Sequence, residues 1–170
     1  AIEETKKLAE KLEAPVCSGY QHNDSFPGSH PLAVGPLGYN GSKAAMELIS
    51  KADVVLALGT RLNPFSTLPG YGIDYWPKNA NIIQVDINPD RIGLTKKVTV
   101  GISGDAKLVA QQIFDKLASN AGDANRQERK DLIHQTKSAW LQKLSSLDHE
   151  EDDQGTVWNK EARERDKDRM

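Results

Sequence analysis

A five-residue apolar run, Val54-Val55-Leu56-Ala57-Leu58, stands between Asp53 and the polar cluster Gly59-Thr60-Arg61. It is short and lacks polar alternation, which suits a strand buried on both faces better than a helix. Strands of that kind belong to parallel sheets with helices over both sides. The polar cluster then falls at the strand's carboxyl end, the edge at which open parallel sheets bind ligands. The rest of the chain has to supply neighbours for this strand.

Those neighbours can be read in order. Ile2, Thr5, Leu8, Ala9 and Leu12 repeat at helical spacing, with Glu3, Glu4, Lys6, Lys7, Glu10 and Lys11 outside. This predicts an amphipathic helix, ended by Pro15, and then a short strand at Pro15-Val16-Cys17. A helix followed by a strand is the back half of a βαβ unit, so the first strand of the sheet is expected to precede Ala1. Gly19 to Gly41, rich in Gly, Pro, Asn, Asp and Ser, reads as a long loop. His22, Asp24 and His30 are scattered in it without a metal-ligand spacing, and no metal ligand is assigned. Gly35, Gly38 and Gly41 recur every third residue without forming Gly-x-Gly-x-x-Gly. They serve either a tight backbone path into the next helix or direct phosphate contact.

Ser42 is a candidate N-cap for a helix striped by Ala44, Ala45, Leu48, Ile49 and Ala52. After the central strand comes an irregular aromatic segment, Pro64 to Pro77. Asn81 to Ile87 is a second buried strand, Pro89 to Ile92 a helical turn, and Val98 to Ile102 a third, β-branched strand. Ala106, Val109, Ala110, Ile113, Phe114 and Leu117 stripe another helix. Helices alternating with buried strands predict an α/β fold, a three-layer α/β/α Rossmann-like parallel sheet over residues 1–120. A connecting helix is expected over 121–147, within which Asp123 to Leu147 carries Leu132, Ile133, Trp140, Leu141 and Leu144. Residues 148–170 are mostly charged, with Val157 and Trp158 as isolated apolar residues, and read as a linker toward a further domain.

Composition narrows the functional classes. A formal net charge of -2 gives no electrostatic reason to expect nucleic acid or an anionic membrane as partner. No apolar run approaches the roughly 18 residues of a membrane span. The single Cys17 excludes an intramolecular disulfide and any multi-cysteine metal site, and it fits a reducing compartment. It also ranks last, among enzymes on similar nucleotide-binding folds, the deacylases that need a four-cysteine zinc site.

Three charged residues at strand ends are candidate ligand contacts. Asp86 would accept hydrogen bonds from ribose hydroxyls, or cap the turn through Asn88 and Pro89. Arg61 would hold a phosphate in its fork, or form a surface ion pair. Asp105 would contact the same ligand, or cap the following helix.

Four blocks occur in order: Gly35-Pro36-Leu37-Gly38-Tyr39-Asn40-Gly41-Ser42-Lys43-Ala44-Ala45, Ala52-Asp53 through Gly59-Thr60-Arg61, Gln84-Val85-Asp86-Ile87-Asn88-Pro89, and Gly104-Asp105-Ala106-Lys107. Together they resemble the central domain of thiamine-diphosphate-dependent enzymes of the acetolactate synthase type, over roughly Ala14 to Leu117. Asn63-Pro64-Phe65, Pro69 to Pro77 and the stretch from Leu147 to Asn159 look most like a branch that acts on sulfoacetaldehyde. The resemblance implies a cytoplasmic acyltransferase, a homo-oligomer when full length, that converts sulfoacetaldehyde and phosphate to acetyl phosphate and sulfite in C2-sulfonate breakdown, taurine included. It also implies thiamine diphosphate and magnesium held outside this chain, because the sequence has neither Gly-Asp-Gly nor Asn-Asn. No catalytic residue is therefore carried over. Relatives hold ADP or FAD in this domain, so the resemblance carries Arg61, Asp86 and Asp105 over as nucleotide contacts. A free-standing adenine-nucleotide-binding module, and a piece of an acetolactate synthase-like enzyme, are the other readings.

Overall fold

The computed structural model describes residues 1–121 and 124–153, with side chains described through Ser146. Helix α1 (Ile2–Leu12) buries Leu8 and Ala9, and Glu13 closes it in the left-handed conformation, φ 49°, returning its N–H to Ala9 O and Glu10 O. Strand β1 (Val16–Ser18) follows and pairs in parallel with β2 (Ala33–Pro36). Helix α2 (Lys43–Ile49) starts at Ser42, whose Oγ accepts from Ala45 N at 3.3 Å. Strands β3 (Val54–Leu58), β4 (Asn81–Asp86) and β5 (Val100–Ser103) form a second parallel sheet in the order β3-β4-β5. Helix α3 (Ala106–Lys116) packs against α1. Helix α4 (Arg126–Asp153) closes the described chain.

All five strands lie in one compact unit, Ala1–Lys137; a second unit begins at Ser138, within α4. One core joins Ala9, Phe26, Leu32, Val34, Leu37, Ala45, Met46, Leu48, Tyr75 and Ile133. A smaller one joins Ala57, Leu62 and Ile82, with Trp76 against it. The first turn of α4 is tied to α1's end, where Arg126 and Lys130 both reach Glu13 Oε1.

Four features depart from expectation. The loop expected over Gly19–Gly41 contains β2. Its apolar part, Leu32-Ala33-Val34, is too short to signal a strand between Pro31 and Pro36, and main-chain pairing with β1 makes it one. The expected single sheet is present as two. The central strand β3 is also less enclosed than its sequence suggests, for only Ala57 is buried and Val54 is 50% exposed. Its outer edge faces a cleft instead of a strand. The expected connecting helix begins at Arg126 and continues past Leu147 to Asp153. Gln154 to Met170, most of the expected linker, lies outside the described residues.

Candidate functional site

The cleft runs between β1 and β3 and encloses about 620 Å³. Cys17 of β1 and Leu56 of β3 line it, with Tyr20, Gly59, Arg61 and Arg91 among the other residues. The segments that follow β1, β3, β4 and β5 all leave the parallel sheets at their carboxyl edges, as the sequence pattern requires.

The loop after β3 is held by side chains from farther along the chain. Gly59 turns it at φ 62°, and Gly59 N donates to Val85 O at 2.8 Å. Gln84, 1% exposed in the middle of β4, donates through Nε2 to Thr60 O (2.9 Å) and Arg91 O (3.1 Å), and its Oε1 accepts from Gly93 N (2.8 Å). One buried amide thus ties the loop after β3 to the turn after β4. Thr95 Oγ1 adds a second tie, 2.8 Å from both Arg61 O and Leu62 O. These anchors fix the backbone of Arg61 while its side chain stays exposed at the cleft.

The other two candidates are engaged locally. Asp86 is 3% exposed, and its Oδ1 accepts from Asn88 N at 2.8 Å. Asn88 in turn caps the turn at Pro89 by accepting from Asp90 N at 3.0 Å. Asp105 is the N-cap of α3, its Oδ1 accepting from Lys107 N at 2.9 Å and Leu108 N at 3.0 Å. All three residues stand at the carboxyl edge, but only Arg61 lines the cleft.

The three glycines make a tight path. Gly38 lies at φ 114°, and a Cβ there would sit 2.3 Å from Phe65 O; one on Gly41 would sit 2.4 Å from Pro36 O. The aromatic segment packs against that path. Tyr75 is fully buried and donates to Ser66 O at 3.0 Å, and its burial pushes the phenol up to about 12. Burial likewise pushes the Cys17 thiol up to about 11, which keeps it a neutral thiol rather than a nucleophile near pH 7. His30 spans Glu10 Oε1 (3.0 Å) and Leu32 N (3.2 Å), a structural role. Among the described residues no group of three His, Cys, Asp or Glu could hold a metal ion.

Sequence reasoning missed Gln84 and Thr95 as organisers of the site. A polar amide inside the otherwise apolar Ile82-Ile83-Gln84-Val85 was the available signal for Gln84, because a buried polar group needs partners. Thr95 had none, since it is an ordinary surface residue in sequence.

Comparison with known proteins adds three findings. Residues 1–113 match the family described as "Thiamine pyrophosphate enzyme, central domain". The chain is 80% identical over all 170 residues to a "Probable sulfoacetaldehyde acetyltransferase" of Rhizobium meliloti, spanning 29% of that protein. It is 75% identical over 163 residues to a sulfoacetaldehyde acetyltransferase of Roseovarius nubinhibens, covering 96% of this chain and 27% of that one. An acetolactate synthase large subunit, so named with the same "Probable", from Methanocaldococcus jannaschii is 35% identical over 147 residues, 86% of this chain and 22% of the other. Among solved structures, a protein of Mycobacterium smegmatis described as "a putative thiamin diphosphate-dependent enzyme" superposes with a TM-score of 0.52 at 25% identity, covering 69% of this chain and 22% of that one.

Proposed function

The chain belongs to the central-domain family of thiamine pyrophosphate enzymes, and from that premise we propose that it is the non-catalytic central domain of a sulfoacetaldehyde acetyltransferase. The parent enzyme would cleave sulfoacetaldehyde, release sulfite and pass the two-carbon unit to phosphate as acetyl phosphate. The observation that carries this reading is the 80% identity over the whole chain, against 35% for the acetolactate synthase relative. On this reading the enzyme is a cytoplasmic homo-oligomer serving the breakdown of taurine and other C2 sulfonates.

The residues of this chain do not fit the magnesium-bound diphosphate of thiamine diphosphate. The N-terminus of α3, a natural place for an anion, already carries the Asp105 carboxylate on its amides, and the cations at the cleft, Arg61 and Arg91, come without a metal-holding group among the described residues. No metal-holding cluster exists among the described residues. The chemistry is therefore assigned to the flanking parts of the parent, and the role of this chain is to hold them in place. The test is the parent-length protein with phosphate, thiamine diphosphate and magnesium, offered sulfoacetaldehyde or pyruvate. Sulfite and acetyl phosphate in equal amounts from the first, with no acetolactate from the second, supports the reading; acetolactate formation overturns it.

A further inference from the structure

Charge at the cleft is of one sign. The chain as a whole carries a formal net charge of -2, yet the described residues that line the cleft include two arginines, Arg61 and Arg91, and no Asp or Glu. The carboxylates closest to these arginines in sequence are engaged or turned elsewhere. Asp86 is 3% exposed and accepts from Asn88 N, Asp105 caps α3, and Asp90 does not line the cleft. Both arginines are exposed, and among the described residues neither guanidinium has an ion-pair or hydrogen-bond partner. Cations gathered at a cleft without counter-charge raise its potential and draw anions into it.

The two arginines are also held in place before any ligand arrives. Gln84 Nε2 donates to both Thr60 O (2.9 Å) and Arg91 O (3.1 Å), so the two segments hang on one buried amide. Thr95 Oγ1 donates to Arg61 O, and Arg91 N donates to Asn88 O at 3.1 Å within the turn Pro89–Arg91. With the main chain fixed, only the two side chains have to be ordered on binding, which lowers its entropic cost. Thr60 lines the same cleft, and its Oγ1 already accepts from Leu62 N (3.2 Å), which leaves its O–H as a donor. The lining offers donors and no carboxylate acceptor. A ribose diol needs such an acceptor, and a metal-bound diphosphate needs a metal-holding group; a small bare oxyanion needs neither.

We infer that Arg61 and Arg91 form a metal-free site for a small tetrahedral oxyanion, inorganic phosphate or a sulfur oxyanion of the same shape, with Thr60 as a further donor. Each guanidinium presents a planar fork that matches two oxygens of such an ion. Arg61 keeps the phosphate role that its place in the sequence suggests, while Asp86 and Asp105 take no part in holding the ligand. The inference rests on the charge and anchoring of the cleft and does not depend on the proposed reaction.

The test is calorimetric titration of the parent-length protein, freed of thiamine diphosphate and magnesium, with inorganic phosphate at constant ionic strength set by chloride. Arg61→Gln and Arg91→Gln are each expected to weaken phosphate binding by about tenfold or more, because each removes a charge-assisted hydrogen bond. Arg91→Lys, which keeps the charge and loses the fork, should fall between wild type and Arg91→Gln. Sulfate should compete with phosphate for wild type. Phosphate binding within about twofold of wild type in both Gln variants belongs to another part of the parent and overturns the proposal. A heat signal that chloride alone reproduces overturns it in favour of screening, and displacement of phosphate by tighter-binding ADP or FAD overturns it in favour of a nucleotide. A parent that binds phosphate through both arginines but releases no sulfite would leave this site standing and remove only the proposed reaction.

Discussion

Replacing Gln84 by Leu tests the anchoring of the loop after β3. The substitution keeps a buried apolar shape but removes three hydrogen bonds, to Thr60 O, Arg91 O and Gly93 N. Each typical bond contributes about 1 kcal/mol net, and the partners left behind are partly reached by water, so the loss is about 3 kcal/mol. For a domain of this size about 1 kcal/mol moves the melting temperature by roughly 2–4 °C, so a fall of roughly 6–12 °C is expected. Urea unfolding of wild type and variant gives the free energy directly. Amide exchange at Gly59 and Leu62 should also accelerate more than at Leu48 in α2, since only the former depend on the anchor. A change below about 0.5 kcal/mol, or acceleration spread evenly over both regions, would refute the assignment of Gln84 as the tie between the two loops.

Asp105→Ala removes the cap of α3 and should cost about 1 kcal/mol, read by urea unfolding, with Asp105→Asn close to wild type. Gly38→Ala should cost more than about 3 kcal/mol or abolish folding, because the new Cβ meets Phe65 O at a positive φ; a stable variant would show that the glycine path yields. The Cys17 thiol, raised from 9.0 to about 11, contributes stability that is whole below pH 9 and is lost as pH rises toward 11. The full loss is about 2–3 kcal/mol, from two pH units at about 1.36 kcal/mol each. Chemical denaturation between pH 9 and 10, below the range where Tyr75 contributes, should show a shallower decline for Cys17→Ala than for wild type.

What the sequence disclosed follows the physics of its signals. The run Val54 to Leu58, the stripes of the first three helices and the Asp105 cap are local patterns, and the structure has β3, α1 to α3 and the cap where those patterns put them. Asp86 was legible as either a ribose contact or a turn cap, and its carboxylate accepts from Asn88 N. Strand β2 was not legible, because its existence depends on pairing with β1 rather than on its own residues.

The most direct test of the central claim is sulfite release from sulfoacetaldehyde with phosphate, thiamine diphosphate and magnesium, measured side by side for the parent-length protein and for the 170-residue chain. The account predicts release by the parent and none above the no-protein control by the 170-residue chain. Sulfite from the chain alone would contradict a non-catalytic central domain, and a parent that releases none would contradict the reaction itself.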